Sequence, residues 1–138
     1  MDWTHGEYTL SDDRERADQS AIHDLLRETY WAATRPRELG ALSVAHSLCF
    51  SLFHRGQQVG VARGLTDRGA TSYLYDVVSG ASYRSRGVGT WVVEQILDHP
   101  AVRNTRVLLI TRDAQAFYRK FGFVSHPYEC MVKPEGVK

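Results

Sequence analysis

Lysine, cysteine and long apolar runs are all scarce in this chain. Of its 17 basic side chains only Lys120, Lys133 and Lys138 are lysines, and 16 acidic residues leave a formal net charge of +1. That balance excludes the long-range positive field by which most nucleic-acid and anionic-membrane binders attract their partners, so neither partner is expected. Any basic site has to be local and built from arginine, whose forked guanidinium suits phosphate and carboxylate. Cys49 and Cys130 stand far apart with no CxxC spacing and no secretory leader, which argues against a disulfide framework or a zinc site. No apolar stretch approaches membrane-spanning length, and the start Met1-Asp2-Trp3 is neither basic nor apolar. A soluble, cytoplasmic protein without a metal is the expectation. Also absent are a GxxxxGK[ST] loop and a complete GxGxxG, which argues against ATP hydrolysis and NAD binding.

What is present reads as one mixed α/β domain over 1–138, with no repeat, linker or low-complexity segment. Tyr8-Thr9-Leu10 suits a short first strand. Asp18 suits the N-cap of a helix carrying Ile22, Leu25, Leu26, Thr29 and Tyr30 at helical spacing, and Pro36 the first turn of a second helix ending near His46. The period then changes: Leu48–Phe53 and Gln58–Arg63 flank a turn at Arg55-Gly56-Gln57 as a hairpin, followed by a central strand from Thr71 to Val78. An amphipathic helix carries Val88, Trp91, Val92, Ile96 and Leu97. The run Arg106–Thr111 has the pattern of a strand covered on both faces, Ala114–Phe121 that of a short helix stopped by Gly122, and Phe123-Val124 the start of a last strand.

Between the central strand and the amphipathic helix lies Tyr83-Arg84-Ser85-Arg86-Gly87-Val88-Gly89-Thr90. Glycines at a helix start leave backbone N–H groups and the positive end of the helix dipole open, and phosphate is their natural occupant. Side chains at Gly87 and Gly89 would hold a diphosphate off the backbone, and Arg84 and Arg86 add charge at the rim. A plain solvated turn has the same composition, so the loop gains meaning from its company.

That company is Ala114-Gln115-Ala116-Phe117-Tyr118-Arg119-Lys120-Phe121-Gly122-Phe123. A Q/R-x-x-G-x-G/A loop, met by Arg84 to Gly89, followed by an A-x-x-F-Y-x-K-x-G-F segment, met by Ala114 to Phe123, resembles the GNAT superfamily of N-acetyltransferases. Upstream, Tyr30-Trp31, Arg35-Pro36, His46-Ser47, Gly60-Val61-Ala62-Arg63, Thr66-Asp67 and Asp76-Val77 resemble a subgroup of small, mostly uncharacterised bacterial members. The chain departs from the pattern at Ser85, where such loops often carry glycine, at Asp113, where many relatives have asparagine, and at Ser79-Gly80-Ala81-Ser82, where the subgroup tends to be apolar with a proline.

The resemblance implies a largely antiparallel mixed sheet with a splayed central strand pair, flanked by helices, and acetyl-CoA as co-substrate. Arg84, Ser85, Arg86, Gly87, Val88, Gly89 and Thr90 would hold its pyrophosphate, the backbone of Val77, Val78 and Ser79 its pantetheine arm, and Asp113 would lie beside it. Tyr118 would face the thioester sulfur and return a proton to the leaving thiolate; packing beside Phe117 is its plainer role. Asp76 is the best placed carboxylate for a base, or for orienting the acceptor, though it could equally tie down Arg35. Tyr30, Trp31, Arg35 and His46 would wall the site of a small-molecule or peptide amine, His46 being a second candidate base. A homodimer is open, as is an acyl-CoA-binding module without catalysis.

Overall fold

The computed structural model describes residues 1–136. Its sheet has the strands β1 (Asp2–His5), β2 (Tyr8–Ser11), β3 (Leu48–His54), β4 (Gln57–Thr66), β5 (Thr71–Ser79) and β6 (Arg106–Leu108) in sequential spatial order. Every neighbouring pair is antiparallel except β5 and β6, which are parallel. Four helices accompany it: α1 (Gln19–Arg27), α2 (Arg37–Ala45), α3 (Val88–Asp98) and α4 (Gln115–Arg119). Parallel β5 and β6 require a crossover, and α3 supplies it. No helix among the described residues is long and apolar enough to cross a membrane.

The sheet is covered on both faces because its central strands are apolar in both phases of their alternation. Leu10, Phe50, Leu52, Ala62 and Leu74 pack with Val88, Val92 and Ile96 of α3. Cys49 and Val61 point the other way, to Ile22 and Leu26 of α1, Ala32, and Val44 of α2. Asp18 caps α1 as its sequence position suggests, accepting from the Ala21 N–H at 3.1 Å. The helix stops at Arg27 rather than running to Tyr30. The Thr29 hydroxyl donates to the Leu26 carbonyl at 2.7 Å and accepts from the Ala32 N–H at 3.1 Å, so its side chain replaces the helix ladder with a turn.

Three sequence expectations need correction. Strand β1 was not anticipated; it forms a hairpin with β2 around Gly6, whose φ is +60°. Strand β6 ends at Leu108 and is only partly covered: Val107 packs against the α3 core while Val107 and Leu108 stay half-buried, and Ile110, beyond the strand's end, is 62% exposed. No strand forms at Phe123-Val124. Pro127 cannot donate to a ladder, and the His126 ring ties itself to the Tyr128 N–H at 2.9 Å, turning the chain locally.

Two irregularities set β5 apart from the other strands. First, Arg63 pairs with Tyr75 and Val61 with Val78, so β5 spends one more residue than β4 across this interval, a bulge at Asp76-Val77. Asp76 takes φ +51°, a left-handed conformation that aspartate tolerates better than most residues. Second, β5 and β6 pair only from Thr71–Arg106 to Tyr73–Leu108, while β5 continues to Ser79 with no strand on that side. The two strands therefore splay, and a cleft opens between them.

Candidate active site

The cleft encloses about 760 Å³. Its walls are the free end of β5 (Val77, Val78, Ser79), the loop into α3, residues 112–120 around α4, and the turn after α1. Most of the sequence-predicted positions meet here: Arg84, Ser85, Gly87, Gly89, Thr90, Asp113 and Tyr118 from the cofactor set, with Tyr30 and Trp31 from the acceptor set.

The loop into α3 has the geometry that suits an anion. Gly87 caps the helix at φ +78°, with no side-chain cap, and the first helical bond is from the Trp91 N–H to the Gly87 carbonyl at 3.3 Å. The N–H groups of Val88, Gly89 and Thr90 are therefore left to a ligand, at the positive end of the helix dipole. An added Cβ at Gly89 would point toward the Phe117 ring, 3.9 Å away, so a side chain there enters the space between α3 and α4. Lys120 reaches across that space to the Thr90 hydroxyl at 3.4 Å, with its ammonium 4.7 Å from the Phe117 ring centre. Ser85 takes φ +63°, the conformation for which glycine is suited, so serine there carries strain of about 1 kcal/mol.

Not every residue of the loop faces the cleft. Arg86 is turned away: its guanidinium lies 5.5 Å from the Tyr83 ring centre and borders a separate depression near Glu7, His54 and Arg55. Val88 is buried at 2% exposure in the α3 core and offers the cleft its backbone alone. Tyr83, which sequence reasoning passed over, does line the cleft. Its hydroxyl is 3.1 Å from His54 Nδ1, and His54 Nε2 is 3.2 Å from Glu7, a chain that ties the loop to β3 and the first hairpin.

Tyr118 stands half-buried on α4, its ring edge-on to Phe117 at 5.1 Å and to Phe123 at 5.7 Å. Burial, with a smaller contribution from neighbouring Tyr30, pushes its phenol up to about 12. It is therefore protonated at any working pH and can donate. Asp113 lies at the cleft beside Arg112, 3.5 Å from its guanidinium, and does not cap α4, which has no side-chain cap; the Thr111 hydroxyl accepts from the Ala114 N–H at 3.0 Å in the turn before the helix.

Of the roles the sequence left open for Asp76, the structure shows the acid tied to Arg35. Its carboxylate is fully buried and does not border the cleft. Oδ2 accepts from Arg35 Nη1 at 2.7 Å and Arg63 Nε at 2.8 Å; Oδ1 accepts from Trp31 Nε1 at 2.8 Å and Arg35 Nη2 at 3.3 Å. Burial pushes this carboxyl upward, but the hydrogen bonds and charges of Arg35 and Arg63 outweigh it and hold it below the usual carboxylate range. A carboxylate so placed is a weak base with no lone pair facing a substrate. Its geometry instead joins the bulge of β5 to the wall formed by Trp31 and Arg35. Arg35 itself is drawn out of the cleft by this contact, and His46, exposed at the C-terminal cap of α2, lies outside it as well.

Arg63 went unrecognised although a signal existed: an arginine inside the apolar strand Val59-Gly60-Val61-Ala62-Arg63 requires a buried counter-charge, and Asp76 was the acid of the next strand. Tyr30 and Arg112 also meet, though nothing in the sequence pairs them. The Arg112 N–H donates to the Tyr30 hydroxyl at 3.0 Å and its guanidinium lies 3.7 Å from the Tyr30 ring centre, joining the turn after α1 to the segment after β6. Among the described residues no group of three His, Cys, Asp or Glu side chains is arranged to hold a metal.

Comparison with known proteins places this architecture. The model of the acetyltransferase (GNAT) family matches residues 7–123. A crystal structure from Xanthomonas campestris pv. campestris, named a "putative acetyltransferase belonging to the gnat family", superposes with a TM-score of 0.85 at 32% identity over 94% of each chain. The Gibberella zeae protein named "Putative acetyltransferase FG08082" is 28% identical over 87% of this chain and 80% of its own. The "Uncharacterized N-acetyltransferase ycf52" of Porphyra purpurea is 30% identical over 67% of this chain and 58% of its own. With its splayed strands, glycine-started helix and family match over most of its length, the chain belongs to the acetyltransferase (GNAT) family and is an N-acetyltransferase.

Proposed function

We propose that the protein moves the acetyl group of acetyl-CoA directly to a primary amine of a small molecule or peptide, both substrates being bound together in the cleft. The observation that carries this reading is the confluence, in one cavity, of an uncapped α3 N-terminus, an unpaired edge of β5 and the Tyr118 phenol. The residues present fit the cofactor: free N–H groups and Arg84 suit a diphosphate, and the open edge of β5 suits the amides of a pantetheine arm. A structure named as a predicted acetyltransferase with acetyl-CoA, from Clostridium acetobutylicum, shares the fold at a TM-score of 0.67 and 13% identity.

In this reading the neutral amine attacks the thioester carbonyl, whose developing negative charge is met by a backbone N–H near Val78. Tyr118 supplies the proton for the departing thiolate. With Asp76 sealed and His46 outside the cleft, the acceptor loses its proton to water. Gly89→Asp tests the cofactor assignment. An acid in the first turn of α3 favours the helix dipole, so the fold is retained, yet it places negative charge where the diphosphate would sit. Calorimetry should show acetyl-CoA affinity reduced by at least about 30-fold with no fall in melting temperature. Equal affinity in the two proteins would remove α3 from the cofactor site.

A further inference from the structure

The cleft carries its charge unevenly. Near α3, Arg84 and Lys120 supply positive charge of the kind a diphosphate needs. In the turn after α1 Glu28 borders the same cleft, exposed, with a carboxylate that makes no hydrogen bond or ion pair among the described residues. Asp113, the other acid of the cleft, is already met by Arg112, and Asp76 is sealed below it by two arginines. Glu28 is thus the acid placed to receive a cation.

Its neighbours favour the same occupant. Trp31 is 44% exposed and its indole N–H is bonded to Asp76, so a held aromatic side chain lines the same cleft as Glu28. The cations that would welcome an acidic acceptor are engaged: Arg35 is bound to Asp76 outside the cleft, and Arg112 is stacked on Tyr30. We propose that the acceptor is a primary amine bearing a second cationic group, an aliphatic diamine or longer polyamine, with its distal ammonium bound by Glu28 against Trp31.

This inference rests on the acetyl-transfer reading and narrows it. The reacting amine, having lost a proton to water, forms a C–N bond to the acetyl carbon. The C–S bond breaks with its electron pair on sulfur, the sulfur takes a proton, and the nitrogen loses its second one to solvent. The distal ammonium is unchanged, and the products are the N-acetyl diamine and the free thiol of CoA.

Thiol release at saturating acetyl-CoA, with cadaverine, pentylamine and 5-aminopentanoate as acceptors of equal length, tests the assignment. The diamine should exceed the monoamine in kcat/KM by roughly 5- to 20-fold, and the amino acid should be the poorest acceptor. Glu28→Gln should raise KM for cadaverine by the same factor, hold kcat within about twofold, and leave pentylamine unchanged. Equal constants for cadaverine and pentylamine in the native protein, or a Glu28→Gln effect equal on both, would overturn the inference while the acetyl-transfer reading stands. Acetyl-CoA binding without thiol release to any amine would refute that reading itself, and this inference with it.

Discussion

Replacing Asp76 by asparagine separates a base from a structural anchor. Asparagine keeps the size of the side chain and tolerates φ +51° about as well, so the bulge itself adds little to the effect. What changes is charge. The Arg63 side chain is 8% exposed and loses the partner at 2.8 Å, and Arg35, 22% exposed, loses the one at 2.7 Å. Leaving a buried ion without its counter-charge costs about 3–5 kcal/mol; with one arginine partly solvated the lower end, about 3 kcal/mol, applies. For a domain of this size that is a fall in Tm of roughly 10 °C. Thermal unfolding followed by circular dichroism measures it, and Arg63→Met combined with Asp76→Asn should recover part of the loss, because the stranded cation is then gone. Catalysis should suffer in both substrates together, since Asp76 joins β5, the strand proposed to hold the cofactor, to the Trp31 wall. An unchanged Tm with kcat lowered 100-fold or more would refute this reasoning and return Asp76 to the role of base.

Tyr118→Phe should lower kcat by about 100-fold while leaving acetyl-CoA affinity within about twofold, measured by steady-state kinetics beside calorimetry; an unchanged kcat would make Tyr118 a packing residue. The same tyrosine predicts a pH response. Its folded pKa of about 12 lies above the unfolded value of about 10, so its contribution to stability is complete below pH 10 and declines as pH rises toward 12; denaturant titrations across that window should show the decline, smaller in Tyr118→Phe. Gly60→Ala would bring a Cβ to 3.1 Å from Leu52 and 3.2 Å from the Val78 carbonyl oxygen, in the strand pair bordering the cleft. The expected cost is about 1–2 kcal/mol with weakened acetyl-CoA binding, and a variant as stable as the native protein would show that β5 yields there.

Much of the fold was legible because it is written in local chemistry. Asp18, Pro36 and Gly87 sit at helix starts where capping and backbone conformation put them, and the switch from helical spacing to the strand pattern at Leu48 marks β3. The glycine loop and the Ala114–Phe123 segment were recognisable because each is a short, closely spaced pattern of residue types, which a sequence displays directly. Edges were less legible. How far Arg106–Thr111 pairs and is covered depends on its neighbours, and here only Arg106–Leu108 pairs, with β5 on one side.

Charge pairing depended wholly on the tertiary structure. Asp76 and Arg63 are 13 residues apart and Trp31 and Arg35 come from a different layer, so sequence could name the acid but not count the donors that would enclose it. Tyr30 and Arg112, 82 residues apart, meet only once the turn after α1 is packed beside the segment after β6. Residue types and local spacing determined by themselves that this chain has a glycine-started helix, of the kind that suits an anion, and an acid in its central strand. Only the packed structure decided that the acid is buried beneath two arginines while Glu28 is left open to the cleft, because desolvation and long-range ion pairing exist only once distant segments are brought together.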